Sequence, residues 1–355
     1  MLRMTLGFKI RASAHIIRLF LFALAVLASA HRGAAQDTPL ISGGVGFFNS
    51  TNAGNTSYIP IFEPLLAAPL GQHVLVESRA ALLEFVSPKG GNQSGYDHSH
   101  FIGLTYLQGD YVASRHFTIV AGDYLIPFNT YLERLSPIWI GNFQDGPIIA
   151  NLNFSSSGSG LGGMIRGNAM QRSKYSIDYN YYYSARSANE QFSASRGSGG
   201  RTSLYLPEQR LEVGLSYYRL LQGTHENFYG THVWWEPKDT AFRLRSEFAR
   251  GQHAEGYWVE ADYRTKAFRG LESAIGRIEP VFRMQQTFRL DTIASDGLPS
   301  VNTQRADFGL DYNLPHNTRI ITSYARQFSA SGNRNVWETG IVYRFLSPAW
   351  KGKHP

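Results

Sequence analysis

The sequence predicts an all-β chain closed into a transmembrane antiparallel β-barrel of about 14 strands, with roughly 12 to 16 acceptable. Three observations predict it. Strict two-residue alternation of apolar and polar side chains recurs in segment after segment, as expected of strands with one apolar and one wet face. The connections alternate in length: Pro237-Lys238-Asp239 and Pro315-His316-Asn317 are tight turns, whereas Ser187–Glu208 and Ala294–Asn302 are long, polar and Gly/Ser-bearing. Tyr (20) and Phe (22) are abundant, Leu/Ala helical runs are scarce, and nothing beyond the N-terminus approaches the ~20 apolar residues of a spanning helix. A mean hydropathy of −0.25 agrees, because barrel strands are only half apolar.

Taken in order, the chain begins with an export signal over residues 1–35. Arg3, Lys9, Arg11 and Arg18 form a basic region, Leu19 to Leu27 an apolar one, and cleavage is expected after Ala30 or Ala35. Residues 1–35 hold five of the 34 basic residues and no Asp or Glu, so the remainder carries 29 basic against 27 acidic, a net of +2 instead of +7. That balance gives no support to nucleic-acid binding, which would need a clustered basic face. The absence of cysteine excludes disulfides, thiolate metal sites and Cys nucleophiles.

A single barrel domain is expected over 36–345. Its strands read as Leu40–Asn49, His73–Val86, His100–Tyr111, His116–Ile126, a weaker Gly-rich Leu161–Ala169, Lys174–Arg186, Gln209–Leu220 and Tyr229–Glu236. They continue as Phe242–Phe248, Tyr257–Arg264, Arg277–Leu290, Arg305–Leu314, Arg319–Phe328 and Trp337–Phe345. Alternation is clearest in Lys174–Arg186, where Tyr175, Ile177, Tyr179, Tyr181 and Tyr183 oppose Lys174, Ser176, Asp178 and Asn180. Residues 41–71, in which Pro60, Pro64 and Pro69 break strand character, are a candidate for part of a plug. Ser156–Gly163 reads as a flexible loop, with no nucleophile-elbow pattern.

Residues 127–160 interrupt the rhythm. A structureless connection of that length is unusual, and this one carries Trp139, Phe143, Ile138, Ile148 and Ile149, more apolar surface than a free loop exposes. It is expected to fold against the inner wall as a constriction loop, with Glu133, Arg134 and Asp145 near the narrowest point. The alternative is a surface loop packed on itself or on a neighbouring protomer.

In the last strand, Trp337, Thr339, Ile341, Tyr343 and Phe345 share one face. Glu338, Gly340, Tyr343 and Phe345 fall on the defined positions of a pattern that resembles the C-terminal signal by which outer-membrane barrels are recognised for insertion. Leu346–Pro355 follows as a tail. A second resemblance rests on Gly122-Asp123-Tyr124-Leu125-Ile126-Pro127-Phe128-Asn129, then Glu133-Arg134 and Pro137-Ile138-Trp139, with Glu255–Tyr263 and Glu279-Pro280-Val281-Phe282-Arg283 further on. Together these motifs resemble porins of the phosphate-selective type, in order over roughly residues 70–345. The resemblance implies an outer-membrane channel of up to about 18 strands, often trimeric. The chain departs from it at Asn129, where Gly is usual, and in its mixed pore-facing charges; only six Lys follow the signal.

The expected function is passive diffusion of small hydrophilic solutes through a water-filled lumen, selective by diameter and lining charge. The expected lining is Lys174, Asp178, Arg243, Arg245, Glu247, Glu260, Asp262, Arg264, Arg277, Glu279, Arg283, Arg305, Asp307 and Asp311. The expected partners are outer-membrane lipid, the barrel-assembly machinery, the solutes and a homotrimer, with no cofactor. A plugged barrel with a structural or adhesive role is the alternative, and a barrel hydrolase comes third. No enzymatic motif emerges: His225-Glu226 with His232 is not a metalloprotease helix, and His98 and His100 share a strand face without an evident third ligand.

Overall fold

The computed structural model describes residues 38–348, apart from 91–93, 153–157, 190–191, 224, 267–269, 271 and 292–295. The export signal with its cleavage sites and the tail beyond Pro348 lie outside the described residues. Antiparallel strands follow one another around a closed barrel, and the last pairs with the first. They are β1 (Leu40–Asn52), β2 (Asn55–Leu70), β3 (Val74–Pro88), β4 (Tyr96–Ser114), β5 (Phe117–Leu125), β6 (Ser159–Gln171), β7 (Ser176–Ala185) and β8 (Gly197–Leu206). The second half comprises β9 (Leu211–Leu220), β10 (Asn227–Trp235), β11 (Phe242–Arg250), β12 (Ala254–Tyr263), β13 (Ile278–Arg289), β14 (Thr303–Leu314), β15 (Thr318–Ser329) and β16 (Arg334–Pro348). Closure gives every strand two hydrogen-bonded neighbours, which leaves no edge strand among the described residues.

The sixteen strands among the described residues correct the expected fourteen, and the two additions are β2 and β8. Prolines hid β2. It pairs with β1 throughout, but its ladder with β3 skips Ile59-Pro60 and Glu63-Pro64, where the missing N–H interrupts the bonding. Residues 41–71 are therefore wall, and the plug expected of them is overturned. Glycine hid β8, which lies inside the expected long loop 187–208. A Cβ at Gly199 would stand 2.6 Å from the Tyr182 hydroxyl, and one at Gly197 would overlap the Tyr218 ring. Tyrosines of β7 and β9 thus cover the inner face of β8 in place of its own side chains, the pairing by which aromatics support strand glycines. The expected loop at Ser156–Gly163 is also corrected, since Ser159–Gly163 belong to β6.

One barrel end holds Leu40, Pro348 and the short turns 71–73, 115–116, 172–175 and 315–317, although 264–277 there is long. The other holds the longer connections 89–95, 126–158, 186–196 and 290–302. On β16 the outward face shows Trp337, Ile341 and Tyr343, while Val336, Glu338 and Val342 are buried inside. Phe345 stacks on Phe62 of β2, ring centres 5.8 Å apart, and a Cβ at Gly340 would overlap the Phe48 ring of β1. Among the described residues no helix is long and apolar enough to cross a membrane.

The apolar core sits inside the barrel, in two clusters. Ile126, Phe128, Leu135, Ile149 and Leu152 of the β5–β6 connection pack on Val120, Met164, Tyr182, Tyr218, Phe228 and Trp258 of the wall. Across the lumen, Phe48, Ile321 and Val342 pack with Ile138 and Trp139 of the same connection. Fully burying one such side chain is worth about 1.5–3 kcal/mol.

Candidate functional site

Residues 126–152 cross the interior, with one helical turn, α1 (Tyr131–Arg134), and a 3-10 turn at Ile148–Asn151. Proline at 127 and 137 and the left-handed backbone of Asn129 keep the segment from continuing as a strand. Its first anchor is Glu247 on β11. One oxygen of that carboxylate accepts the Thr130 N–H at 2.7 Å, the Thr130 hydroxyl at 2.6 Å and the Tyr131 N–H at 2.8 Å. The other accepts the indole N–H of Trp258 at 3.2 Å. Thr130 Oγ1 in turn accepts the Trp234 indole at 2.9 Å.

The helical turn itself pairs with β9 and β8, and the chain beyond it reaches β3, β2 and β1 across the lumen. Arg134 makes a bidentate pair with Glu212 of β9 at 2.8 and 2.9 Å. Glu212 and Glu133 outweigh the cost of burying Arg134 and hold its guanidinium charged more firmly than usual. Glu133 pairs with Arg201 of β8 at 2.6 Å. Arg79 of β3 donates to Ser136 at 3.0 Å, and the Ile138 N–H donates to Glu63 of β2 at 3.1 Å. Trp139 and Ile138 then lie over Gly44 of β1, where a Cβ would come within 2.7 and 2.9 Å of them.

The return path runs along β15 to β12. Arg319 donates to the Gly141 carbonyl, and Asn142 donates to Glu260 at 3.1 Å. Phe143 sits 4.4 Å beneath the Arg283 guanidinium and over Gly309, where a Cβ would approach it to 2.9 Å. Asp145 accepts from Arg305 at 3.1 Å, and the Ile148 N–H donates to Gln285 at 2.7 Å. The Asp145 side chain remains half open to the lumen. Its surroundings oppose ionisation, but hydrogen bonding to Glu338 and the charges of Arg305 and Arg283 hold the carboxyl below its ordinary value.

The expected lining residues fall into two groups. Arg245 pairs with Glu260 at 2.5 Å and Asp262 at 3.0 Å; Arg243 pairs with Asp262 at 2.8 Å and Glu279 at 3.2 Å. Arg283 reaches Asp307 at 3.5 Å, Arg305 reaches it at 2.7 Å, and Asp311 faces Arg319 at 3.4 Å. These residues and Glu247 are on the inner wall but covered by the crossing segment, with Asp307 and Asp311 fully buried. The rest stand at the short-turn end. Lys174 lies in the β6–β7 turn, Asp178 is exposed on β7 and accepts Asn168 at 2.8 Å, Arg264 pairs with Glu236 at 3.4 Å, and Arg277 closes the 264–277 connection.

Several partners escaped the sequence reading: Glu63, Arg79, Asn142, Arg201, Glu212 and Arg319. Glu212, Gly214, Ser216 and Tyr218 share the inner face of β9, so a lone charge on a wet face was the available clue. Glu63 and Arg201 lay in the two strands that went unread. His98 Nδ1 lies 2.8 Å from Glu84, yet among the described residues no group of three or more His, Cys, Asp or Glu is arranged to hold a metal ion.

No protein-family model matches the sequence, and no curated protein matches it. Solved structures are similar in fold. The anion-selective porin from Comamonas acidovorans matches with a TM-score of 0.54 at 13% identity, over 87% of this chain and 99% of that one. OmpT, an outer membrane protein of Vibrio cholerae solved as a loop L8 deletion mutant, matches at 0.57 and 6% identity, over 87% and 100%. OprB of Pseudomonas putida, in a low-pH structure, matches at 0.56 and 10% identity, over 87% and 92%.

Proposed function

We propose that this chain is a porin-like channel of the bacterial outer membrane, through which small hydrophilic solutes diffuse passively along a water-filled lumen. The observation that carries the reading is a closed barrel, apolar outside and charged inside, whose interior is crossed by one long connection fixed to the wall at many points. The fold shared with an anion-selective porin and with another outer membrane protein supports it. Lipid is the proposed environment, the assembly machinery the proposed reader of β16, and a homotrimer the proposed assembly.

Exposure of the ion pairs supports a weak preference for anions. Arg166 of β6 is 39% exposed while its partner Asp110 is 2% exposed; Arg134 is 35% exposed against 16% for Glu212. A passing ion meets guanidinium before carboxylate. Glu133 with Arg201 runs the other way, at 23% against 11%, so the preference is small. The Comamonas relative bears the description anion-selective. Among the described residues the inward Arg side chains are interleaved with carboxylates, and phosphate selectivity is not proposed.

The test is conductance in planar bilayers, with the reversal potential across a salt gradient. Stable ohmic steps with a mild anion preference are expected, and R166E should shift the potential towards cations. Folded protein that never conducts would favour the second reading, a barrel closed by its own segment with a structural or adhesive role. The deep burial of Arg245, Arg283 and Asp307 is the observation on that side. A hydrolase is not proposed. Ser203 and Glu212 both approach His232 at Nε2, at 3.5 and 3.1 Å, whereas a relay needs the carboxylate on the other ring nitrogen.

A further inference from the structure

The outward face of the β15–β16 seam changes character within a few residues. Register pairs Ile320 with Ile341, Thr322 with Thr339, Tyr324 with Trp337 and Arg326 with Asn335. Ile321, Ser323 and Ala325 between them are buried inside, so these four pairs point away from the lumen. From the short-turn end to the long-loop end the column therefore runs apolar, hydroxyl, aromatic, cationic. The threonine hydroxyls lie 3.3 Å apart and the Tyr324 and Trp337 ring centres 4.6 Å apart, with Trp337 58% exposed. Above them Asn335 Oδ1 accepts the Tyr324 hydroxyl at 3.0 Å and Nη1 of Arg326. The Arg326 guanidinium lies 5.3 Å from the centre of the Phe328 ring.

Arg326 forms no ion pair among the described residues, whereas Arg250, at the same end of the outward face of β11, is neutralised by Glu255 at 3.2 Å. Amide and ring thus fix the Arg326 guanidinium while using one of its nitrogens. Nε and Nη2, the edge that matches two phosphate oxygens, have no partner among the described residues.

We propose that this column docks a phosphorylated glycolipid of the outer leaflet. The phosphate lies on the Nε–Nη2 edge of Arg326, the sugar ring covers the open face of Trp337, and the Thr322 and Thr339 hydroxyls bond its oxygens. The acyl chains follow Ile320, Ile341 and Phe47, the outward neighbour of Ile341 on β1. A free phosphate or a soluble sugar phosphate has no use for that apolar row, which continues the column below the cation. Long loops mark the outer end of such barrels, so Arg326 stands at the level of the outer-leaflet headgroups. The inference rests on the outer-membrane placement proposed above, and not on conduction.

Native mass spectrometry of the folded barrel reads the binding, with the protein titrated in detergent with lipid A, a diphosphorylated acyl diglucosamine. The parent should bind it, with dephosphorylated lipid A and phosphatidylglycerol each at least about tenfold weaker. R326Q removes the fork, and N335D gives Arg326 the carboxylate it lacks; each should weaken lipid A binding about tenfold or more. R115Q, at the short-turn end, should leave it unchanged. A parent that binds all three lipids alike, or R326Q and N335D within about threefold of the parent, would overturn the site. Displacement of lipid A by millimolar inorganic phosphate would overturn the choice of a lipid headgroup. Only variants that migrate as the folded, heat-modifiable form are compared, and either substitution suffices alone. A barrel that binds lipid A and never conducts leaves the site standing, and one that conducts without binding it loses only the site.

Discussion

Glu247 is the place to break the site. Its carboxylate collects the Thr130 N–H, the Thr130 hydroxyl and the Tyr131 N–H at 2.6–2.8 Å, and the Trp258 indole on its second oxygen. In E247A the first three, all on the crossing segment, lose their acceptor together. A buried donor left unpaired costs about 1–3 kcal/mol, and removing one member of a buried charged centre about 3–5 kcal/mol. The adjoining cavity, lined by Phe128, Tyr131, Ile149, Leu152 and Glu247, offers about 20 Å³, room for about one water. One water cannot replace three bonds, so most of the cost stands. Taking about 4 kcal/mol, at 1.4 kcal/mol per factor of ten, the undocked population rises about a thousandfold.

The chain has no cysteine, which makes the assay clean. Leu135 is 4% exposed in the docked segment, so the thiol of L135C should react only when the segment leaves the wall. Adding E247A should accelerate labelling by about 100- to 1,000-fold in barrels that still migrate as folded species, and single-channel conductance should rise with it. E247Q keeps an acceptor oxygen and should fall between. A labelling rate within about threefold of the L135C parent, a difference under 1 kcal/mol, would refute the claim that Glu247 holds the segment.

Two further outcomes follow from the wall. A side chain at Gly230 would overlap Asn129 Oδ1 and reach the Phe128 ring at 3.0 Å, whereas Gly109 has nothing within 4 Å of its Cβ position. G230V should therefore raise conductance and L135C labelling while G109A leaves both unchanged. F345A, which removes the ring stacked on Phe62 at 5.8 Å where β16 meets the first hairpin, should lower the yield of heat-modifiable barrel in assembly assays. Deleting residues 349–355 should not.

Most of the wall was legible because a closed barrel with an apolar exterior imposes a simple demand on it. Outward residues must be apolar, inward ones need not be, and the alternation in β7, β11, β14 and β16 reports that directly. The strands that escaped are those where something other than the side chain satisfies the demand. In β2 the outward prolines suit an apolar exterior, and the interrupted ladder with β3 absorbs their missing donors. In β8 part of the inner face is furnished by Tyr182 and Tyr218 of its neighbours, so half of its own sequence is glycine and serine. A pattern read within one strand is blind to surface supplied by the next.

The same limit explains the charges. Period two gives the direction of a side chain, not the distance to whatever stands in front of it. Arg243, Arg245, Glu260, Asp262, Arg283, Arg305 and Asp307 point inward as their alternation requires, yet they meet Asn142, Phe143 and Asp145 before they meet open lumen. The apolar content of 127–160 was the clue that this connection covers something, because Ile138, Trp139, Ile149 and Phe143 would be unstable in water. What the sequence could not reveal is which wall they cover. That is decided by glycines on distant strands, Gly44 beneath Trp139 and Gly309 beneath Phe143, which let the backbone of the wall approach closely enough for those rings to seat. Charge pairs placed between these seats then fix the path of the segment. Each seat and each charge pair joins positions 68 or more residues apart, and no local pattern carries that information.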